Sequence, residues 1–238
     1  MHAPGGGRVA EEAIDLWSWS LAVDDAAAAR LAATLSADEL ARARRFVFPV
    51  HARRFIAARA GLRRILAGYR GCAPADLGFR YAAHGKPALA DDGPPLFFNL
   101  SHSGHLAVLG VSVVGEIGVD VETVTAAAED VAARFFSASE CAALAALPQA
   151  ARAGGFFRCW TRKEAMVKAL GEGLSMPLDS FDVTLAPEQP ARLLRLAGQP
   201  DAVERWSLFH FEPAADCVGA VAVPRRQCGL VFRGSISP

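Results

Sequence analysis

Short apolar runs alternate along the chain with charged, amphipathic segments, and the periods of that alternation predict most of the elements. Ile14 to Val23 carries tryptophans at alternate positions, 17 and 19, which predicts a strand. Ser36-Ala-Asp-Glu39 has the spacing of a capping box and predicts a helix start. A longer helix is expected from about His51 to Tyr69, where Phe55, Leu62, Leu66 and Tyr69 form one buried stripe. Phe79 to Tyr81, Leu96 to Leu100, Leu106 to Val114 and Ile117 to Val121 read as strands, the last entered by a turn at Gly115.

The second half repeats this order. A second capping box, Ser137-Ala-Ser-Glu140, lies 137 − 36 = 101 residues after the first. A helix from about Gly155 to Leu170 ends at Gly171, and Gly68 stands at the matching place, 103 residues earlier. Phe181 lies 102 residues after Phe79. Arg205 to Phe211 and Cys217 to Val223 then read as a terminal strand pair. Three agreeing offsets predict an α/β (α+β) fold of two similar lobes, 1–116 and 117–238, related by a pseudo-twofold axis. The cleft between such lobes, near Val114–Gly118, is a favoured place for a ligand. Residues 1–12 read as a loose Gly-rich tail, and 225–238 give no pattern.

Composition narrows the class. With 238 residues, 52% hydrophobic and 21% charged, the chain has enough apolar material for a substantial core. Lys plus Arg and Asp plus Glu both total 25, so no global charge draws it to nucleic acid or a membrane surface. The longest apolar run, Leu106 to Val114, is far shorter than the roughly 18–20 residues that span a bilayer. The first residues lack the apolar stretch of a signal peptide. Five cysteines without a Cys-x-x-Cys pair fit free thiols in a reducing cytosol, so a cytoplasmic protein is expected.

Gly118-Val-Asp-Val-Glu122 alternates apolar and acidic residues. On a strand this sends Val119 and Val121 inward and projects Asp120 and Glu122 together, about 6.6 Å apart along the strand. A solvated strand end has the same spacing. In Trp160-Thr-Arg-Lys-Glu164-Ala-Met-Val-Lys168, however, positions 160, 164 and 168 share a helix face; a packing aromatic beside an exposed Glu–Lys pair has this pattern too, but a tryptophan turned to the interior or a cleft wall would place Glu164 at the edge of a crevice. Three carboxylates without a neighbouring His or Cys suit a hard cation, magnesium before zinc, and magnesium so bound usually shares its shell with phosphate.

From Leu40 to Ala75 there are nine arginines and no acidic residue. Arg63, Arg64 and Arg70 read as solvating charges, whereas Arg42, Arg45 and Arg54 lie nearer the helix corner, where forked donors hold phosphate. His84-Gly-Lys86-Pro87 is a rigid turn presenting one lysine. Phe98-Asn-Leu-Ser101-His102-Ser-Gly104 ends a strand in hydrogen-bonding groups, read as phosphate donors rather than as a hydrolase, since no Gly-x-Ser-x-Gly elbow is present.

Taken in order, Gly-Lys-Pro, Phe-Asn-Leu-Ser-His-Ser, Gly-Val-Asp-Val-Glu and Trp-Thr-Arg-Lys-Glu-Ala-x-x-Lys resemble the 4'-phosphopantetheinyl transferase superfamily, in its larger, two-lobed (surfactin-synthetase-activating, Sfp-like) class. The resemblance runs from about Leu35 to Phe181. It implies coenzyme A between the lobes and Asp120, Glu122 and Glu164 as magnesium ligands. It implies Lys86, Pro87, Ser101, His102, Asp120, Lys163 and Lys168 as residues around the cofactor, with Arg42 and Arg54 at its 3'-phosphate. Glu39 stands where some members have a basic residue, so that phosphate contact is expected to be missing. Glu164 and Lys168 are the implied catalytic pair, Glu164 acting directly or through a water on magnesium. The implied reaction moves phosphopantetheine to a serine of an acyl or peptidyl carrier protein, on a monomeric enzyme with no nucleic-acid or membrane partner. A mainly apolar carrier contact is expected along Thr123 to Phe136, with Val124, Val131, Phe135 and Phe136. A magnesium-dependent phosphatase or nucleotidyl transferase, and a non-catalytic coenzyme A or carrier-binding module, are the rival readings.

Overall fold

The computed structural model describes residues 13–126, 129–171 and 173–236; the tail at 1–12 lies outside them. Its first half runs β1 (Ala13–Ser20), α1 (Asp25–Ala32), α2 (Ala37–Ala43), α3 (Pro49–Arg70), β2 (Phe79–Tyr81), β3 (Pro87–Leu89), β4 (Phe97–Ser103) and β5 (Leu106–Ser112). The second runs β6 (Gly118–Thr123), α4 (Glu129–Phe135), α5 (Ala138–Ala146), α6 (Gln149–Leu170), β7 (Phe181–Val183), β8 (Leu193–Leu196), α7 (Ala202–Arg205), β9 (Ser207–Ala214), β10 (Cys217–Val223) and β11 (Gly229–Ser235).

Both capping boxes form, at Ser36 with Glu39 and at Ser137 with Glu140. The two long helices have 22 residues each, 49–70 and 149–170, an offset of 149 − 49 = 100. Each ends on a left-handed glycine, Gly71 at φ 66° and Gly171 at φ 75°, a conformation open to glycine without steric penalty. The first cap is therefore Gly71, not the expected Gly68. The second helix begins 155 − 149 = 6 residues before the expected start. Gly154-Gly155 interrupts the helical pattern, but Gly155 is buried against Leu144 and Leu147, and packing overrides propensity there.

Two sheets carry these helices. One has the order β11-β1-β5-β4, the other β6-β10-β9. α3 covers the first through Ala57, Leu62 and Leu66 against Trp19, Phe98 and Leu109. α6 covers the second through Ala165, Met166 and Ala169 against Ala220 and Ala222. A third core, including Ile14, Leu16, Val108, Val119, Val121 and Val221, joins the two sheets. β4 and β6 are edge strands of different sheets, and they meet at the seam.

The duplication extends to buried charge. Glu39 pairs with Arg59 and Arg63 (Arg63 Nε to Oε2 2.7 Å), and Arg63 also donates to the carbonyls of Pro74 and Leu77. In the second lobe Glu140 pairs with Lys163 at 2.8 Å, and Lys163 donates to the carbonyls of Leu178 and Phe181. Arg63 lies over the Phe79 ring and Lys163 over that of Phe181. Arg63 is thus a buried strut, not the solvating charge expected. Lys163, fully buried, is held in the core of its lobe away from the cleft, against the cofactor-binding role expected of it. Glu39, in turn, neutralises two interior arginines.

The chain does not finish on the pair β9–β10. β11 crosses back and pairs in parallel with β1 of the first lobe, with Arg233 2.8 Å from the buried Asp15. Residues after 228, expected within the second lobe, extend the sheet of the first. The short run Leu230-Val231-Phe232 is the apolar cue for this strand, which is largely exposed.

Candidate active site at the seam of the two sheets

β4 continues to Ser103, three residues past its expected end at Leu100, so Asn99, Ser101 and Ser103 alternate along one face. Each grips β6. Asn99 Oδ1 accepts from Val119 N at 2.8 Å, and Ser101 Oγ donates to Asp120 Oδ1 at 3.0 Å. Ser103 Oγ donates to Glu122 Oε2 at 2.9 Å and accepts from Thr123 N at 3.1 Å. On the other side α6 lies directly on β6. A Cβ at Gly118 would stand 1.9 Å from the Ala165 carbonyl oxygen, so only glycine permits this approach. The approach carries Glu164 and Lys168 to the acidic strand.

Lys168 Nζ donates to Asp120 Oδ1 at 2.6 Å, and also to Ser101 Oγ and the Val119 carbonyl. Burial pushes the Asp120 carboxyl up, and Lys168 and Ser101 offset part of that rise. Burial also raises Glu122, with Ser103 lowering it and Asp120 adding to the rise. Glu164 is raised by burial first, and by the charges of Asp120 and Glu122; Lys168 opposes them. The three carboxylates thus feel one another through a partly desolvated seam.

Between the lobes, His84, Lys86, Pro87 and Asn99 face Glu164 and Lys168 across a cleft of about 300 Å³. His102, on the exposed side of β4, has a lowered pKa: partial burial comes first, Lys168 and Arg54 add to it, and Asp120 opposes it. Arg54 is half-buried on α3; Arg42 is exposed on α2, its guanidinium 5.3 Å from the Phe55 ring centroid. Two expected phosphate donors are turned inward. Ser101 is buried on Asp120, and Lys86 Nζ donates to Glu116 Oε2, Ile117 O and Lys168 O, stapling the lobes. In the segment expected to meet a carrier, Phe136 is buried and Val131 and Phe135 pack against the core. Ala127 and Ala128 lie outside the described residues. Exposed large apolar side chains cluster instead at Phe46, Val47, Phe48 and Val50, among the first-lobe arginines.

Asn99, inside the expected strand, carries no signal of its own in the sequence, whereas Ser103 falls beyond the expected end at Leu100. Extended by three residues, the alternation Asn-Leu-Ser-His-Ser would have assigned them to the face of Ser101.

Among the described residues no three His, Cys, Asp or Glu side chains form a ready metal cluster. Lys168 occupies Asp120 Oδ1 instead. The residues nonetheless fit a hard cation: three carboxylates at one seam, and a buried Asp120 Oδ2 with no hydrogen-bond partner.

Carboxylates and Lys168 thus meet at the seam of two similar α/β lobes, beside a cleft between them. Residues 18–113 match the family model described as 4'-phosphopantetheinyl transferase, N-terminal, and 116–222 that of the 4'-phosphopantetheinyl transferase superfamily. The 4'-phosphopantetheinyl transferase HetI of Nostoc sp. is 43% identical over 88% of this chain and 87% of its own. The 4'-phosphopantetheinyl transferase Sfp of Bacillus subtilis is 31% identical over 66% of this chain and 69% of its own. A solved structure, an ACPS–CoA complex from Chronobacterium ammoniagenes, overlaps 47% of this chain and 97% of its own at TM-score 0.36 and 18% identity. The chain belongs to the 4'-phosphopantetheinyl transferase superfamily, in its larger, Sfp-like class of transferases.

Proposed function

We propose that the protein transfers the 4'-phosphopantetheine arm of coenzyme A to a serine of an apo acyl or peptidyl carrier protein, with magnesium, releasing adenosine 3',5'-bisphosphate. The observation that carries this is the meeting of Asp120, Glu122 and Glu164 at the seam, with Lys168 on Asp120, beside an inter-lobe cleft lined by Lys86, Glu164 and Lys168. Repelling carboxylates beside cations suit a cation and a polyanion bound together.

Asp120, Glu122 and Glu164 would hold magnesium, which when bound supplies positive charge to the phosphate oxygens. His102, neutral near pH 7 because its pKa is lowered, would donate a ring N–H to the pyrophosphate. Arg54 and Arg42 suit the 3'-phosphate as forked donors. Pro87 would wall the cleft, and Lys86 would reach a phosphate by exchanging its exposed partner Glu116. Ser101 and Lys168 hold Asp120 in place, and Lys168 supplies positive charge near the leaving group.

Glu164 would take the acceptor serine's proton, directly or through a water. Serine Oγ bonds to phosphorus as the bond from phosphorus to the adenosine bisphosphate breaks. Lys163 has no part in this step. One chain supplies every group, so a monomer suffices. Among the described residues no helix is long and apolar enough to cross a membrane, and we place the reaction in the cytoplasm. Incubation with coenzyme A, magnesium and an apo carrier protein, read by intact mass, tests the proposal. The carrier should gain one phosphopantetheine group; a carrier left unmodified across several acyl and peptidyl types would overturn it.

A further inference from the structure

Of the three β4 side chains at the seam, Asn99 binds backbone only and Ser101 is shared between Asp120 and Lys168. Ser103 is different, because its hydroxyl is the only side-chain hydrogen bond to Glu122 among the described residues. A hydroxyl has one proton. Thr123 N donates to its oxygen at 3.1 Å, and of the two oxygens in reach, Glu122 Oε2 at 2.9 Å and Thr123 Oγ1 at 3.4 Å, the nearer, charged one is the better acceptor for that proton. The hydroxyl therefore reads the strand's register through a backbone N–H and fixes the carboxylate one residue before it. Ser103 stands just before the hairpin turn at Gly104, whose φ of 57° favours glycine. Glu122 Oε1 takes no part in this bond.

We infer that Ser103 is a positioning residue for the transfer reaction: it orients Glu122 so that the acidic seam binds its divalent cation, without itself touching substrate. The inference rests on the proposed reading of the three carboxylates as a metal site. Groups that hold a metal-ligating carboxylate by hydrogen bond commonly change metal affinity by about 10–100-fold when removed.

The test uses the full chain with coenzyme A but no carrier, and Mn²⁺ as an observable stand-in for magnesium, its free fraction read by electron paramagnetic resonance. Ser103→Ala should weaken Mn²⁺ binding about 10-fold or more. Coenzyme A binding in chelator should stay within about twofold, which a general loss of structure would not allow. Ser103→Thr, which keeps the hydroxyl and suits a strand, should restore Mn²⁺ binding to within about threefold of wild type. Wild-type Mn²⁺ affinity in Ser103→Ala, or a melting temperature lowered with no change in affinity, would overturn the inference while leaving the metal reading intact. If Ser103→Ala does not fold, failure of a folded Ser103→Thr to bind Mn²⁺ near wild-type strength would overturn it. Absence of Mn²⁺ binding by the wild-type protein would overturn the metal reading, and this inference with it.

Discussion

Among single side chains, Glu164 is where chemistry and stability separate most cleanly. It is a half-buried carboxylate whose pKa is raised by burial and by Asp120 and Glu122. Folding therefore favours its protonated form. That contribution is full below the unfolded value of about 4.3 and is lost as pH rises through the higher folded value. Glu164→Gln, which stays neutral, should match the wild-type melting temperature at acid pH and equal or exceed it at pH 8 in chelator. Transfer should meanwhile fall about 10²–10⁴-fold, the usual contribution of a positioned base. A melting temperature several degrees lower, with near-normal turnover, would remove Glu164 from the mechanism. Arg54→Ala should weaken coenzyme A about 10–150-fold but dephospho-coenzyme A much less, as expected for a charge-assisted contact to the 3'-phosphate. Titration calorimetry with both ligands decides this, and equal losses would assign Arg54 to another phosphate or to structure.

The elements show which parts of the fold the sequence made legible. Capping boxes, the Leu62–Leu66 stripe and the Val119–Val121 alternation each carry a local period, and each element formed where that period placed it. Lys163 and Arg63 carry no such signal. A basic residue on an amphipathic helix looks alike in sequence whether it meets phosphate, solvent or a buried carboxylate. Only the partner's location 20 or more residues away, Glu140 or Glu39, decides it. The two buried pairs act as duplicated struts between capping helix, long helix and following strand. Glu39→Ala or Glu140→Ala should each cost about 3–5 kcal/mol in urea unfolding, because interior cations lose their counter-ion. Burial pushes Glu39 up, but Arg59, the Ser36 N–H and Arg63 outweigh it and the net shift is downward. Its stabilisation is thus present above about 4.3 and is lost as pH falls through the lower folded value. Glu39→Gln should flatten that acid limb. An unchanged acid limb in Glu39→Gln would mean that the pair does not control acid stability.

At the scale of the whole molecule, the returning strand β11 was invisible because most of its residues face solvent and its pairing partner, β1, lies more than 200 residues earlier. It ties the end of the chain to the first lobe through the sheet and through Arg233 on Asp15, which is fully buried. Truncation after Arg226 should lower the melting temperature by at least about 4 °C, since a buried carboxylate then loses a charged partner. An unchanged melting curve would show that β11 adds no stability. The proposed function assigns the seam to group transfer rather than to hydrolysis of a nucleotide, and the dependence of adenosine 3',5'-bisphosphate release on the acceptor serine would distinguish the two. That release from coenzyme A and magnesium should be measured with an apo carrier protein, and with the same carrier lacking its acceptor serine. Adenosine 3',5'-bisphosphate should appear in equal amount to modified carrier in the first case and be absent in the second; release at the same rate without the serine would contradict group transfer.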